Sequence, residues 1–264
     1  MREFFIRALS GSIYAFAIIG SLLYNEIIFY LILFVFVGLT IFEFQKLINH
    51  ISIFPYILLI ILWWASIQLD STFKSYLKFL LIPTLLSHTL LILWLYIQFD
   101  ITKKRIFKNL LSVFYITLSG FFIIFLTEFN IKYNPYVLIL LYTLTWVNNT
   151  FAYIIGTFFG KNLLFKSISP KKSWEGLLGG IIFCVSAFYL MIYLNFQKEK
   201  NLILAITICV PVLNLYGDLI QSKFKRIAKV KNSGEIMPGH GGFYDRMDSI
   251  LFTAPWIYLI LLIN

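Results

Sequence analysis

Apolar residues come in long runs broken by short polar stretches, and the length of each run carries the first prediction. Crossing a bilayer takes about 20 mostly apolar residues in a helix. Nine runs reach or approach that length: Phe4–Tyr24, Ile27–Phe44, Ile51–Leu69, Phe79–Ile97, Leu110–Leu126, Tyr136–Phe158, Leu177–Leu194, Leu202–Ile220 and Ser249–Ile263. The third carries Pro55 near its start, and the sixth carries Asn148, Asn149 and Thr150 in its second half. The pattern predicts an all-α polytopic transmembrane protein of about nine spans. No linker or repeat divides it, so 1–264 reads as one integral membrane domain. Residues 1–135 supply the amino-terminal spans, and 136–264 carry the remaining spans and the longest polar loops. The first run follows Arg2 and Arg7 as in a signal peptide, but it lacks a small-residue cleavage site and further runs follow at once. A retained first span is the expectation.

Composition agrees. Hydrophobic residues make up 60% of the 264 and charged residues 13%, against about 25% charged in a soluble domain. The 28 Phe, 16 Tyr and 6 Trp suit a lipid-facing surface with interfacial aromatics. A net charge of +10 raises the question of nucleic acid, but its placement points to topology instead. If the runs alternate in direction, 17 of the 22 Lys and Arg residues fall on the amino-terminal side and 5 (Lys74, Lys78, Lys132, Lys198 and Lys200) on the other. Basic loops stay in the cytosol, so the amino terminus and the two longest polar loops, Gly160–Gly176 and Gln221–Asp248, are expected there. The bilayer is thus an expected partner and nucleic acid is not. Cys184 and Cys209 sit inside apolar runs with no metal-ligand spacing, as buried small hydrophobes do.

Acids are scarce, so their clustering is informative. Of twelve, Asp218, Glu235, Asp245 and Asp248 fall within 31 residues. Asp218 lies near the end of an apolar run, where an acid is costly unless it faces a polar cavity. On a continuing helix, Asp218, Ser222, Lys225 and Arg226 share one face, and Asp245 shares one with Asp248. Carboxylates beside Lys and Arg suit a hard divalent cation with phosphate oxygens, since Mg2+ takes one or two carboxylates and fills its octahedron with phosphate and water. Surface ion pairs at the membrane edge are the plainer alternative. Between the acids lies Pro238-Gly239-His240-Gly241-Gly242. Its glycines permit positive φ, and successive amides in such a turn can cradle an anion; a plain tight turn has the same composition. In the other loop, Ser169 or Ser173 can cap a helix with Glu175 in its first turns, which would put Lys171 and Lys172 at an anion-favouring helix start. Gly156-Thr157-Phe158-Phe159-Gly160-Lys161 is one residue short of a P-loop and continues with Asn162. Close helix packing through Gly156 and Gly160 fits better. His50 and His88 are isolated and receive no role.

Together these residues resemble a known family. Gly217-Asp218-Leu219, Ser222, Lys225-Arg226, Lys231, Pro238-Gly239-His240-Gly241-Gly242 and Asp245-Arg246-Met247-Asp248-Ser249 closely resemble the signature of CDP-diacylglycerol synthases, the phosphatidate cytidylyltransferases. Ser169-Pro170-Lys171-Lys172-Ser173-Trp174-Glu175-Gly176 with Gly179-Gly180 looks like a second marker of that family, and Ala152-Tyr153, Gly156 and Gly160-Lys161 like a third. The resemblance covers about Asn149 to Ser249; the amino-terminal half is only generically similar. It implies that CTP and phosphatidate give CDP-diacylglycerol and pyrophosphate with Mg2+, in a cell (inner) membrane enzyme facing the cytosol. Carried over, it makes Asp218, Asp245 and Asp248 metal ligands. Lys171, Lys172, Ser173, Ser222, Lys225, Arg226, Lys231, Gly241, Gly242 and Arg246 become binders of substrate and its phosphates, and His240 orients a phosphate or the turn. A second, monovalent cation such as K+ and a homodimer are further expectations on the same ground.

Three positions depart from the family pattern, which usually has Asp at Asn149 and after the lysine at Asn232, and Glu or a similar residue at Gln221. Each swaps an acid for its amide. Three other readings stand beside this one: a related membrane phosphotransferase such as a polyprenol kinase, an inactive homologue, and a transporter. The glycine–histidine signature favours the named family over the first, and the last is expected to show internal repeats.

Overall fold

The chain is described by a computed structural model covering residues 2–68, 76–128, 133–193, 200–239 and 241–263. Within these residues nine helices follow the nine apolar runs in order: α1 (Arg2–Tyr24), α2 (Glu26–Leu47), α3 (Phe54–Gln68), α4 (Leu81–Leu95), α5 (Arg105–Phe125), α6 (Tyr136–Phe159), α7 (Trp174–Tyr193), α8 (Lys200–Ile227) and α9 (Tyr244–Ile263). Six of them, α2, α4 with the 3-10 turn before it, α5, α6, α8 and α9, are long and apolar enough to cross a membrane; α1, α3 and α7 contain shorter apolar stretches. This is an all-α polytopic membrane protein, because a chain in hydrocarbon must satisfy its backbone internally and a helix does so within one segment.

Local chemistry sets the breaks. Asn25 separates α1 from α2, its side chain accepting from the amides of Ile27 and Ile28 at 2.8 and 3.4 Å, as an N-cap does. Pro55 falls in the first turn of α3, where its missing N–H costs nothing. Helix α5 contains a π-helical segment, Leu111–Thr117, that the sequence pattern did not predict. Helix α6 runs unbroken through Asn148, Asn149 and Thr150. One of its polar positions is met by a neighbour: Asn214 of α8 donates to Thr145 at 3.2 Å and accepts from Thr253 of α9 at 2.9 Å.

Successive helices run in opposite directions, and bonds between distant segments show it. At one end, Ser10 of α1 donates to Pro238 O, Lys108 of α5 to Asn49 O after α2, and Lys223 of α8 to Trp94 O and Ile97 O where α4 ends. At the other end, Tyr133 before α6 donates to Leu22 O of α1, and Tyr30 of α2 to Glu128 after α5. The polar loops are therefore gathered at the first end. Helices α6, α7, α8 and α9 pack in sequence order. The approach is closest where a Cβ has no room: one added at Gly217 of α8 would lie 2.8 Å from Asp248 O of α9, and one at Gly176 of α7 would lie 2.8 Å from Ala152 O and 3.2 Å from the Gly156 Cα of α6. The packing role expected of Gly156 is thus observed. Beneath the polar end, Phe44, Tyr115, Phe224 and Tyr244 meet edge to face or stacked, joining α2, α5, α8 and α9.

One piece of sheet interrupts the helices. Strands β1 (Leu163–Phe165) and β2 (Ser169–Ser173) form an antiparallel hairpin between α6 and α7. This corrects the expectation that Lys171 and Lys172 open a helix: both lie on β2. The cap is Ser173, whose Oγ accepts from the amide of Gly176 at 3.1 Å.

Candidate active site

The two loops singled out by sequence meet at the polar end. Lys172 from β2 forms an ion pair with Asp218 on α8. Ser222, one turn further along α8, donates to the other Asp218 oxygen at 3.2 Å. Lys172 and Asp218 border a cavity of about 400 Å3 lined also by Asn148, Asn149, Lys171 and Asn214. A second cavity of about 250 Å3 lies between α1, α6 and α9 and is lined by Tyr14, Asn149, Asp245, Arg246, Asp248 and Ser249. Asn149 lines both. Asp248 is buried and close enough to Asp218 for their charges to act on each other. Its one hydrogen bond among the described residues is from the amide of Ser249, at 2.6 Å.

Asp245 is placed differently. One of its oxygens accepts from Lys225 at 2.8 Å and from Gln221 at 3.0 Å; the other accepts from the amide and the hydroxyl of Ser233, both at 2.9 Å, and from the amide of Gly242 at 3.0 Å. Five donors on one carboxylate tie the 233–242 loop to α8 and α9. The loop needs its glycines as expected, for Gly239 and Gly241 take φ of 72° and 91°, where a side chain is strained. Gly242 is required for another reason: a Cβ there would sit 2.1 Å from a carboxylate oxygen of Glu43.

Other sequence candidates are peripheral. Arg226 is exposed and donates to Ile168 O at 3.2 Å, linking α8 to the hairpin. Lys231 and Asn232 are exposed, the latter beside Gly241. Gln221 carries one of the Asp245 bonds, so the amide substitution there supplies a donor that an acid lacks. His240 lies outside the described residues, as do Lys74, Lys132 and Lys198. Three polar residues have no role assigned by the sequence. Glu43 of α2 and Asn148 of α6 are buried, each with one side-chain oxygen unpartnered among the described residues, and Asn214 bridges α6 and α9. Glu43 carried the same signal as Asp218, a lone acid near the end of an apolar run.

Among the described residues no three His, Cys, Asp or Glu side chains group closely enough to cage a metal. Asp218 in the larger cavity, Asp248 in the smaller and the amide oxygen of Asn149, which lines both, do offer hard oxygen donors. Such a partial set fits Mg2+, which completes its shell with phosphate and water.

Acids on two helices, lysines on a hairpin edge and polar cavities at one end of an apolar bundle define a class: a polytopic membrane protein with a charged polar site of the kind that suits phosphate groups. The chain belongs to the cytidylyltransferase family, whose family model matches residues 5–264. It is similar to proteins named phosphatidate cytidylyltransferase. The Staphylococcus haemolyticus protein is 33% identical over 231 residues, 82% of this chain and 81% of that one. The Staphylococcus saprophyticus protein is 41% identical over 122 residues, covering 46% and 47%, and the Staphylococcus aureus protein 34% over 155 residues, covering 58% of each. The matched segments thus span from about half to four fifths of those relatives' lengths.

Proposed function

We propose that this chain transfers the cytidylyl group of CTP to phosphatidate, giving CDP-diacylglycerol and pyrophosphate for phospholipid synthesis. The observation that carries this reading is the Lys172–Asp218 ion pair, which joins two of the stretches that resemble the family's markers in the lining of a nucleotide-sized cavity. In the reaction a phosphate oxygen of the lipid forms a bond to the α-phosphorus of CTP, and the bond from that phosphorus to the bridging oxygen breaks, releasing pyrophosphate with that oxygen. A phosphate monoester is already largely dianionic at pH 7, with a second pKa of about 6, so no protein base is needed. What the residues must supply is position and positive charge, as in phosphoryl transfer generally.

The triphosphate occupies the larger cavity against Lys171 and Lys172, and the lipid phosphate enters the smaller one, past Tyr14 and beside Arg246. Asn149, common to both, marks where they react. Mg2+, held by Asp218 and Asp248, supplies charge neutralisation on the phosphates when bound. Asp245, whose oxygens already serve five donors, holds Lys225 and the glycine loop. The chain sits in the cell membrane with nine spans, the amino terminus and both loops in the cytosol; the 17-to-5 bias of basic residues and the gathering of the loops at one end support this.

The test is release of labelled pyrophosphate from CTP by the purified protein in lipid–detergent micelles. Release that requires both phosphatidate and Mg2+ is expected. CTP turnover without dependence on phosphatidate, or phosphorylation of a polyprenol instead, would sink the reading.

A further inference from the structure

Glu43 lies in α2, in the half of the chain that carries none of the family-like motifs, and its side chain is 1% exposed. One carboxylate oxygen accepts from the hydroxyl of Ser233 at 3.0 Å and from the amide of Tyr244, at the start of α9, at 2.9 Å. The same hydroxyl lies 2.9 Å from Asp245; its single proton serves one of the two carboxylates at a time, so Ser233 couples two acids from distant parts of the sequence. The other Glu43 oxygen has no hydrogen-bond partner among the described residues. The glycine loop is moulded around the acid: a Cβ at Gly234 would lie 2.4 Å from one oxygen, and one at Gly242 would lie 2.1 Å from the other. Burying a carboxylate with one oxygen unpartnered is costly, and a plain helix contact could be made by Leu or Met without that cost. Its placement at the start of α9, where backbone amides lack helix partners and the dipole favours negative charge, accounts for part of the offset.

We infer that Glu43 is a positioning residue for cytidylyl transfer: through Ser233 and the Tyr244 amide it fixes the orientation of Asp245 and the first turn of α9, and thereby Lys225 and Asp248. The inference rests on the proposed reaction. It assigns to α2 a role in the chemistry rather than in membrane insertion alone. Because Glu43 touches the loop and not the cavities, its loss should lower kcat more than it raises KM for CTP or phosphatidate.

The experiment compares Glu43→Ala, Glu43→Gln, Ser233→Ala and the double variant Glu43→Ala with Ser233→Ala. Pyrophosphate release is measured per CTP-binding site, with sites counted by binding of a non-hydrolysable CTP analogue. Removing a group that orients a site residue typically costs about 10- to 100-fold, and Glu43→Ala should fall in that range with KM for phosphatidate within about threefold of the original. Glu43→Gln keeps an acceptor for Ser233 and Tyr244 and should recover most of the loss. Ser233→Ala should lose less, and adding it to Glu43→Ala should lose little more, since residues acting in one chain are not additive. Three results overturn the inference: unchanged kcat per site in Glu43→Ala with only the yield of folded protein reduced, losses that multiply in the double variant, or a Gln variant no better than Ala. If Glu43→Ala does not insert, the Gln and Ser233 variants decide, and full activity in Ser233→Ala counts against it. A wild-type chain that releases no phosphatidate-dependent pyrophosphate refutes the proposed reaction instead, leaving this pattern of variants to be read by analogue binding.

Discussion

The amino-terminal helices α1–α5 and the carboxyl-terminal helices α6–α9 are built from similar apolar runs but treat their polar residues in opposite ways. In α6–α9 the polar groups line cavities: Asn148, Asn149, Asn214, Asp218 and Asp248 face space that a substrate can fill. In α1–α5 most polar groups are closed onto protein. Glu43 is packed against the glycine loop, His88 bonds to Ser119 at 2.9 Å and stacks on Phe252, and Tyr115 meets Tyr244 at 3.1 Å. Tyr14 of α1 differs, forming with Gly11 and Ala15 one wall of the smaller cavity. The contrast separates groups that act on substrate from groups that hold those groups in place, and it explains why only the second half carries a compact signature. Cavity-lining residues are constrained by a ligand's chemistry, whereas a supporting contact can be made by many side chains.

The comparison breaks most sharply at the acids. Asp218→Ala and Asp248→Ala should each reduce pyrophosphate release on the order of 10²- to 10³-fold, as loss of one charge-stabilising group does, with insertion unchanged. Asp218→Asn and Asp248→Asn should raise the Mg2+ concentration for half-maximal rate, and Asp245→Asn should lower kcat without that shift. A shift for Asp245→Asn as large as for the other two would return Asp245 to the metal. Next in size is Lys172→Ala, which removes the partner of Asp218 and a phosphate-binding charge. A hydrogen bond to a charged group is worth about 1.5–3 kcal/mol, so KM for CTP should rise roughly ten- to hundredfold; an unchanged KM for CTP in initial-rate measurements would empty the larger cavity of its nucleotide.

Smaller effects sharpen the division. Asn149 lines both cavities while Asn232 is exposed beside Gly241. Asn149→Asp should therefore lower the half-saturating Mg2+ several-fold, because a carboxylate binds a hard cation better than an amide, and Asn232→Asp should change it by less than about twofold on the same reasoning. Equal effects in a magnesium titration would show that cavity lining does not decide the matter. Where the second half holds the first in place, Lys223 of α8 closes the end of α4 through Trp94 O and Ile97 O and lies 4.3 Å from the Trp94 ring. Lys223→Met should cost about 1–2 kcal/mol of stability, seen as a lower thermal midpoint, with kcat nearly unchanged; a large fall in kcat at an unaltered midpoint would contradict the separation of roles. The smallest change is expected at His240: if the lipid phosphate attacks already ionised, the rate in His240→Gln should still rise through about pH 6, the second phosphate pKa, with the same profile as the original chain.

Much of the architecture was open to a reading of residues alone. Runs of apolar residues have one stable outcome in hydrocarbon, so nine runs became nine helices in order, with Asn25 and Pro55 at breaks that their side chains explain. The acids at 218, 245 and 248 stood out because charge inside an apolar run is rare. What sequence could not supply was the division of labour among them. Asp245 and Asp248 are three residues apart on one helix, yet the first serves five donors and the second accepts one bond among the described residues, a difference set by loop 233–242 folding back over the helix start. The hairpin carrying Lys171 and Lys172 was likewise hidden, since a strand of five residues has too few positions to show a period. Glu43 was hidden by distance: its partners Ser233 and Tyr244 lie 190 and 201 residues away. Hydrophobic length is a local property and can be read locally; which oxygen is left open for a ligand depends on every donor that the folded chain brings within 3 Å of it, and only the tertiary structure decides that.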